Sequence, residues 1–175
     1  VVEDTRIALG KIAAGERQRL SMKVVGITGS VGKSTTKEMV AAVLESTFRT
    51  AKTPANHNND IGMPMAILAM PEDTQVAVLE MGMNHFREMA YLSQIGKPDV
   101  AVIVNIGTAH IEFLGTVSGI LKAKMEIANV FDPTGEKTMT IRGRNLLRGL
   151  PESIEISDKD IYDAMQSLEY EINTL

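Results

Sequence analysis

A junction near the amino terminus limits the folds open to this chain. The apolar run Val24-Val25-Gly26-Ile27 passes through Thr28-Gly29-Ser30-Val31-Gly32-Lys33-Ser34-Thr35 directly into a helix-forming stretch that reaches Leu44. Glycines at 29 and 32 let backbone N–H groups turn inward around an anion, and Lys33 adds a point charge for outer phosphates. Ser34 can place its hydroxyl on Mg²⁺, and the helix that follows aims its positive end at the same point. The loop departs from the strict phosphate-loop spacing, because Ile27 rather than glycine stands six residues before Lys33. Strand, Gly-x-x-Gly-Lys-Ser-Thr and helix together still specify a nucleotide site far better than an ordinary strand-to-helix turn.

The rest of the chain alternates in the same manner. Strand-like runs at 23–28, 75–81 and 100–106 are continuous enough in Val, Ile, Leu and Ala to be buried on both faces. Helical stretches are expected at 33–45, 64–70, 87–95 and 117–128, after an amphipathic helix at 4–20 with Ile7, Leu9, Ile12, Ala13 and Leu20 as its apolar positions. The expected fold is therefore α/β, a P-loop-type and mostly parallel sheet flanked by helices, with a short β-β-α tail. Such sheets bind ligands at the carboxyl ends of their strands.

Composition removes several classes of function. A net charge of −4 argues against a sequence-independent nucleic-acid binder, which needs clustered Lys and Arg. No apolar run approaches the roughly 20 residues that span a bilayer, and no signal-peptide pattern opens the chain. With no cysteine there is no disulfide framework, which suits a reducing compartment, and the expected location is cytoplasmic. The start at Val1-Val2-Glu3-Asp4, without Met, reads as that of an excised or processed piece.

Polar clusters sit where the strands should end. Glu80 closes the run Val76-Ala77-Val78-Leu79, where a carboxylate either meets a cation, with Mg²⁺ as the candidate, or reaches solvent. His110 follows Val104-Asn105-Ile106-Gly107 and reads as a metal ligand or as a solvated loop residue. Lys124, in Lys122-Ala123-Lys124-Met125-Glu126, would by itself belong to a charged helix face. The amide-rich segment Thr53-Pro54-Ala55-Asn56-His57-Asn58-Asn59-Asp60-Ile61-Gly62-Met63-Pro64 is either an ordered binding loop or a plain turn.

In order and context, the segments at 28–39, 56–64, 80–85, 105–110 and 123–127 resemble the Mur ligases, over roughly residues 1–128. Within that family the likeness is greatest to the members that add D-alanyl-D-alanine to UDP-N-acetylmuramoyl-tripeptide. The resemblance implies an ATP-binding central domain in a three-domain enzyme. It further implies that Gly29, Ser30, Val31, Gly32, Lys33, Ser34 and Thr35 cradle the ATP phosphates, with Asn58 and Asn59 near substrate and phosphate. Ser34 and Glu80 would hold one Mg²⁺, and His110 would help hold a second. Lys124 matches a lysine that family members carbamoylate into a metal-bridging anion. Lys33, Lys124 and His110 would be the catalytic set, acting while ATP phosphorylates the peptide carboxylate and the amine of D-alanyl-D-alanine displaces phosphate.

The chain also departs from that pattern. Arg87 stands where a glycine is usual, Val31 replaces a frequent asparagine, and the family's continuation beyond residue 128 is not seen. The tail at about 135–172 resembles part of the bacterial actin-like rod-shape-determining protein instead. Two domains are therefore expected, 1–128 and a divergent or heterologous β-β-α tail at 129–175, with strands at 138–141 and 153–156 and a helix at 158–170 capped by Ser157. Arg142, Arg144 and Arg148 read as a solvated basic loop with no site role. The alternative to a ligase domain is a nucleotide-binding module or chimeric scaffold without ligase activity.

Overall fold

The structure, a computed structural model, describes residues 1–130 and the backbone of 138–141. Strands β1 Lys23–Thr28, β2 Thr50–Lys52, β3 Val76–Glu80, β4 Val100–Ile103 and β5 Thr138–Ile141 form one sheet in the order β2-β3-β1-β4-β5, every pair parallel. The helices are α1 Thr5–Leu20, α2 Lys33–Glu45, α3 Gly62–Leu68, α4 Glu88–Gly96, α5 Ile111–Leu114 and α6 Val117–Met125, with a 3₁₀ turn at Glu126–Ala128. The expected strand at 153–156, the helix at 158–170 and the arginines at 142, 144 and 148 lie outside the described residues.

Alternate residues of each strand serve opposite faces, as the pleat requires. Val24, Ala77, Leu79, Ala101 and Ile103 pack under α1, α3, α4 and α6, joining Ala13, Ile67, Leu92 and Ile120 in the larger core. Ile27 and Val78 face the other way, against Ala41 of α2. All five residues of β3 are buried, which explains why this strand reads as an unbroken apolar run ending in a single carboxylate.

Helix α1 crosses α4 at a glycine. A Cβ on Gly10 would stand 2.1 Å from the Tyr91 hydroxyl oxygen, so only glycine admits this approach. Arg17 then reaches the far end of α4, where its guanidinium donates to the carbonyls of Gly96 at 2.9 Å and Lys97 at 3.1 Å. A cation on terminal helix carbonyls offsets the negative end of the dipole.

Several boundaries differ from the sequence expectations for physical reasons. Ile7 and Ile12, expected on the apolar face of α1, are 47% and 61% exposed, because the buried stripe runs through Gly10, Ala13 and Leu20. Strand β4 stops at Ile103 rather than 106, since beyond Val104 the backbone bonds the loop after β1, with the Ser30 amide donating to Asn105 O at 3.2 Å. Helix α3 begins at Gly62, before Pro64, because the Asn59 side-chain oxygen accepts the amides of Ile61 at 3.1 Å and Gly62 at 2.8 Å. Pro64 falls in the first turn, where no intrahelical donor is needed. The three-residue β2 and four-residue α5 are too short to show a period in the sequence.

Candidate active site

With β3 on one side of β1 and β4 on the other, the order in which strands are added reverses at β1, the kind of switch point beyond whose carboxyl ends a crevice opens. The Gly29 to Gly32 loop occupies it. Gly32 caps α2 at φ 80°, a left-handed conformation that glycine adopts without penalty. A Cβ on Gly29 would lie 3.0 Å from Val104 Cβ, so the loop lies closely against the end of β4.

Helix α2 carries no side-chain cap, and the first intrahelical bond runs from the Thr36 amide to Gly32 O at 3.0 Å. The amides of Lys33, Ser34 and Thr35 therefore emerge without intrahelical acceptors. Three longer helix starts are closed by side chains: Asp4 on α1, Asn59 on α3 and Thr116 on α6. Glu126 closes α4, accepting the Arg87 amide at 2.9 Å and that of Ala90 at 3.2 Å. An uncapped, glycine-led helix start at a switch point is built for an anion. Lys33, its ammonium now on Gly29 O at 2.9 Å, stands beside it.

Glu80 ends β3 opposite Ile27 of β1, next to the loop, at 2% exposure. Its Oε1 accepts from the Asn58 amide at 2.8 Å, while Oε2 is buried without a hydrogen-bond partner. The nearest cation is Lys37, at 3.6 Å from Oε2, itself buried and donating to the carbonyls of Thr53 at 2.8 Å and Ala55 at 3.3 Å. A buried carboxylate oxygen without a donor fits a metal ion. Among the described residues no three His, Cys, Asp or Glu side chains cluster as a metal cage. One carboxylate, a hydroxyl from the exposed Ser34, water and phosphate oxygens make up the ligand set that suits Mg²⁺.

Lys124 of α6 and His110, the N-cap of α5 at φ 68°, border the same cleft of about 590 Å³, together with Lys33, Asn58, Asn59 and Arg87. Burial pushes the Lys124 ammonium down from 10.5 to about 8, with the Lys33 charge as the second cause. Burial likewise lowers His110, and the neighbouring cations Lys124 and Lys33 add to the effect. Burial also lowers Lys33, opposed by the charge of Glu80. Cations held at a cost in a shared cleft favour an anionic ligand.

Comparison with known proteins decides the family. The model of the Mur ligase middle domain matches residues 27–146. The chain belongs to the Mur ligase family. It is 50% identical over 129 residues to the UDP-N-acetylmuramoyl-tripeptide–D-alanyl-D-alanine ligase of Bacillus subtilis, covering 74% of this chain and 28% of that protein. The corresponding ligase of Escherichia coli is 43% identical over 127 residues, 73% of this chain and 28% of the relative. Among solved structures, MurF from Acinetobacter baumannii superposes with a TM-score of 0.80 at 39% identity, over 95% of this chain and 34% of that one. MurF from Thermotoga maritima, solved in complex with ADP, gives 0.73 at 34% identity, over 83% and 38%. The chain thus spans under a third of the length of these curated relatives.

Within this Mur ligase domain the structure brings Lys33, Asn58, Asn59, His110 and Lys124 to one cleft and sets Glu80 at the end of β3, bonded to Asn58. Sequence reasoning overlooked Lys37, Thr53, Asn105 and Glu126. Lys37 follows Lys33 by four helical positions, a spacing that places both on one face of α2 and was visible in the sequence. Thr53 opens the amide-rich segment, but nothing local marked its hydroxyl as the acceptor of the Glu80 amide at 2.9 Å. Asn105 bonds the loop after β1, and Glu126 caps α4 from 39 residues away in sequence, contacts that only tertiary folding creates.

Proposed function

We propose that this chain is the ATP-binding domain of an ATP-dependent amide ligase that adds D-alanyl-D-alanine to UDP-N-acetylmuramoyl-tripeptide in cytoplasmic peptidoglycan synthesis. The carrying observation is the uncapped start of α2, whose Lys33 lines one cleft with the buried Lys124 and with Asn58, the residue bonded to the Glu80 carboxylate whose Oε2 lacks a donor. The names of the relatives supply the substrates. In this reading residues 1–128 carry the nucleotide site, and 129–175 are a divergent or heterologous tail that adds β5 to the same sheet.

The amides from Gly32 to Thr35 and the Lys33 ammonium would hold the β- and γ-phosphates of ATP, fixing the γ-phosphorus before the incoming peptide carboxylate. Attack yields an acyl phosphate and ADP, and the amine of D-alanyl-D-alanine then displaces phosphate to form the amide. Glu80 and Ser34 would hold one Mg²⁺, and His110 with Lys124 a second, the ions neutralising phosphate charge when bound. With its ammonium lowered to about 8, Lys124 has a neutral fraction at neutral pH that can add CO₂ and release a proton, leaving a carbamate. Asn58 holds Glu80 in place, and Asn59 shapes the cleft wall by capping α3.

Coverage of only 28% of the Bacillus subtilis relative favours a second reading, in which this stretch binds Mg·ATP without turning over by itself. Calorimetric titration with a non-hydrolysable ATP analogue and Mg²⁺ tests the shared part. Saturable binding is expected in the parent, weakened at least about tenfold in Lys33→Ala, the loss of one charge-assisted phosphate contact. No heat from a folded parent refutes nucleotide binding. ADP release stimulated by the UDP-linked tripeptide separates the ligase from the module.

A further inference from the structure

Asn105 does not line the cleft, yet it is 2% exposed and bonded through every polar atom of its side chain to the phosphate loop. Its Oδ1 accepts the amides of Ser30 at 2.9 Å and Val31 at 3.0 Å, and its Nδ2 donates to Val31 O at 2.8 Å. The Ser30 amide also reaches Asn105 O at 3.2 Å, and the Gly107 amide donates to the Ser30 hydroxyl at 2.8 Å. Both glycines at this seam stand close to their neighbours: a Cβ on Gly107 would lie 3.3 Å from Ser30 Cβ, and one on Gly29 would lie 3.3 Å from the Asn105 amide nitrogen. The side chain of Val31 points away, 61% exposed.

We propose that Asn105 is a positioning residue for the nucleotide: it consumes the Ser30 and Val31 amides of the phosphate loop, so that phosphate is held only by the second half of the loop. This deepens, and rests on, the nucleotide reading above. A carboxamide suits the task because it offers an acceptor to two amides and a donor to one carbonyl without charge. A carboxylate could serve the amides but would face the incoming phosphates and leave Val31 O without its donor. The seam also joins the loop to the segment that carries His110, five residues beyond Asn105, so the phosphate site and the histidine move as one piece.

The first test needs no variant. Amide hydrogen exchange followed by NMR on the parent chain should show Ser30 and Val31 protected before any nucleotide is added and unchanged by the Mg²⁺-bound ATP analogue, while Lys33, Ser34 and Thr35 gain protection on binding. Asn105→Ala should expose the Val31 amide, lower the protection of Ser30 to what its bond to the main-chain carbonyl of residue 105 gives, and weaken the analogue about tenfold or more. Asn105→Asp should keep the two amides protected yet bind the analogue more weakly than Asn105→Ala, an inversion that a merely structural role would not produce. Ser30 and Val31 amides that exchange freely in the parent, or become protected only with nucleotide, overturn the proposal. So does Asn105→Ala binding with the parent's affinity. A parent that is folded, shows protected Ser30 and Val31 amides and gives no binding heat leaves the brace standing and defeats the nucleotide reading instead.

Discussion

Replacing Lys37 by Met removes the cation that stands closest to Glu80 and two hydrogen bonds to loop carbonyls in one step. Lys37 is 1% exposed and Glu80 2%, so water does not readily take its place. Deleting one partner of an intimate buried ion pair costs about 3–5 kcal/mol. At 3.6 Å and without a hydrogen bond to Glu80 the pair belongs at the lower end of that range, about 3 kcal/mol. The carbonyls of Thr53 and Ala55, left without this donor, add about 1 kcal/mol each, and the buried thioether returns about 2 kcal/mol of transfer free energy. The net expectation is a loss of about 3 kcal/mol, or about 6–12 °C in melting temperature for a domain of this size. The assay is urea and thermal unfolding of the chain in EDTA, for Lys37→Met, Glu80→Gln and the double variant. Neutralising Glu80 removes the charge that Lys37 compensates, so the double variant should be less destabilised than the sum by about 1–2 kcal/mol. A Lys37→Met cost below about 1 kcal/mol, or an additive cycle, would refute the argument that Lys37 and Glu80 stabilise each other as a buried pair.

Other consequences follow from the same geometry. With Lys124 lowered to about 8 from 10.5, the folded chain releases its proton before the unfolded chain does, so a stability penalty is fully present below about pH 8 and relieved as pH rises toward 10.5. Lys124→Met should lack that rise in urea unfolding curves, and parallel pH profiles for the two proteins would count against the burial argument. Gly10→Ala should destabilise by about 1–3 kcal/mol despite alanine's better helix propensity, because its methyl would meet the Tyr91 hydroxyl. Tyr91→Phe in the same chain should recover part of that loss; an unchanged melting temperature in Gly10→Ala would mean that α1 and α4 are free to part.

The phosphate loop, the parallel α/β architecture and the family were legible in the sequence because they depend on local pattern. Glycine, lysine and hydroxyl spacing set the loop, and unbroken apolar runs separated by helical periods set the sheet. The Mur ligase resemblance rested on those same ordered segments, and the family match at 27–146 bears it out. Contact partners were not legible. Asn105, Lys37 and Glu126 look like ordinary polar residues until folding brings Asn105 against Ser30 and Val31, Lys37 within 3.6 Å of Glu80, and Glu126 onto the start of α4. The exposed Ile7 and Ile12 teach the same lesson in reverse, since α1 buries the face that Gly10 allows close to Tyr91 rather than its most aliphatic one. Sequence determined which elements form and where a phosphate can bind, because backbone conformation and periodicity are local properties. Tertiary structure decided which buried charges and amides are matched and which are left open for a ligand, because desolvation and pairing depend on neighbours distant in the chain.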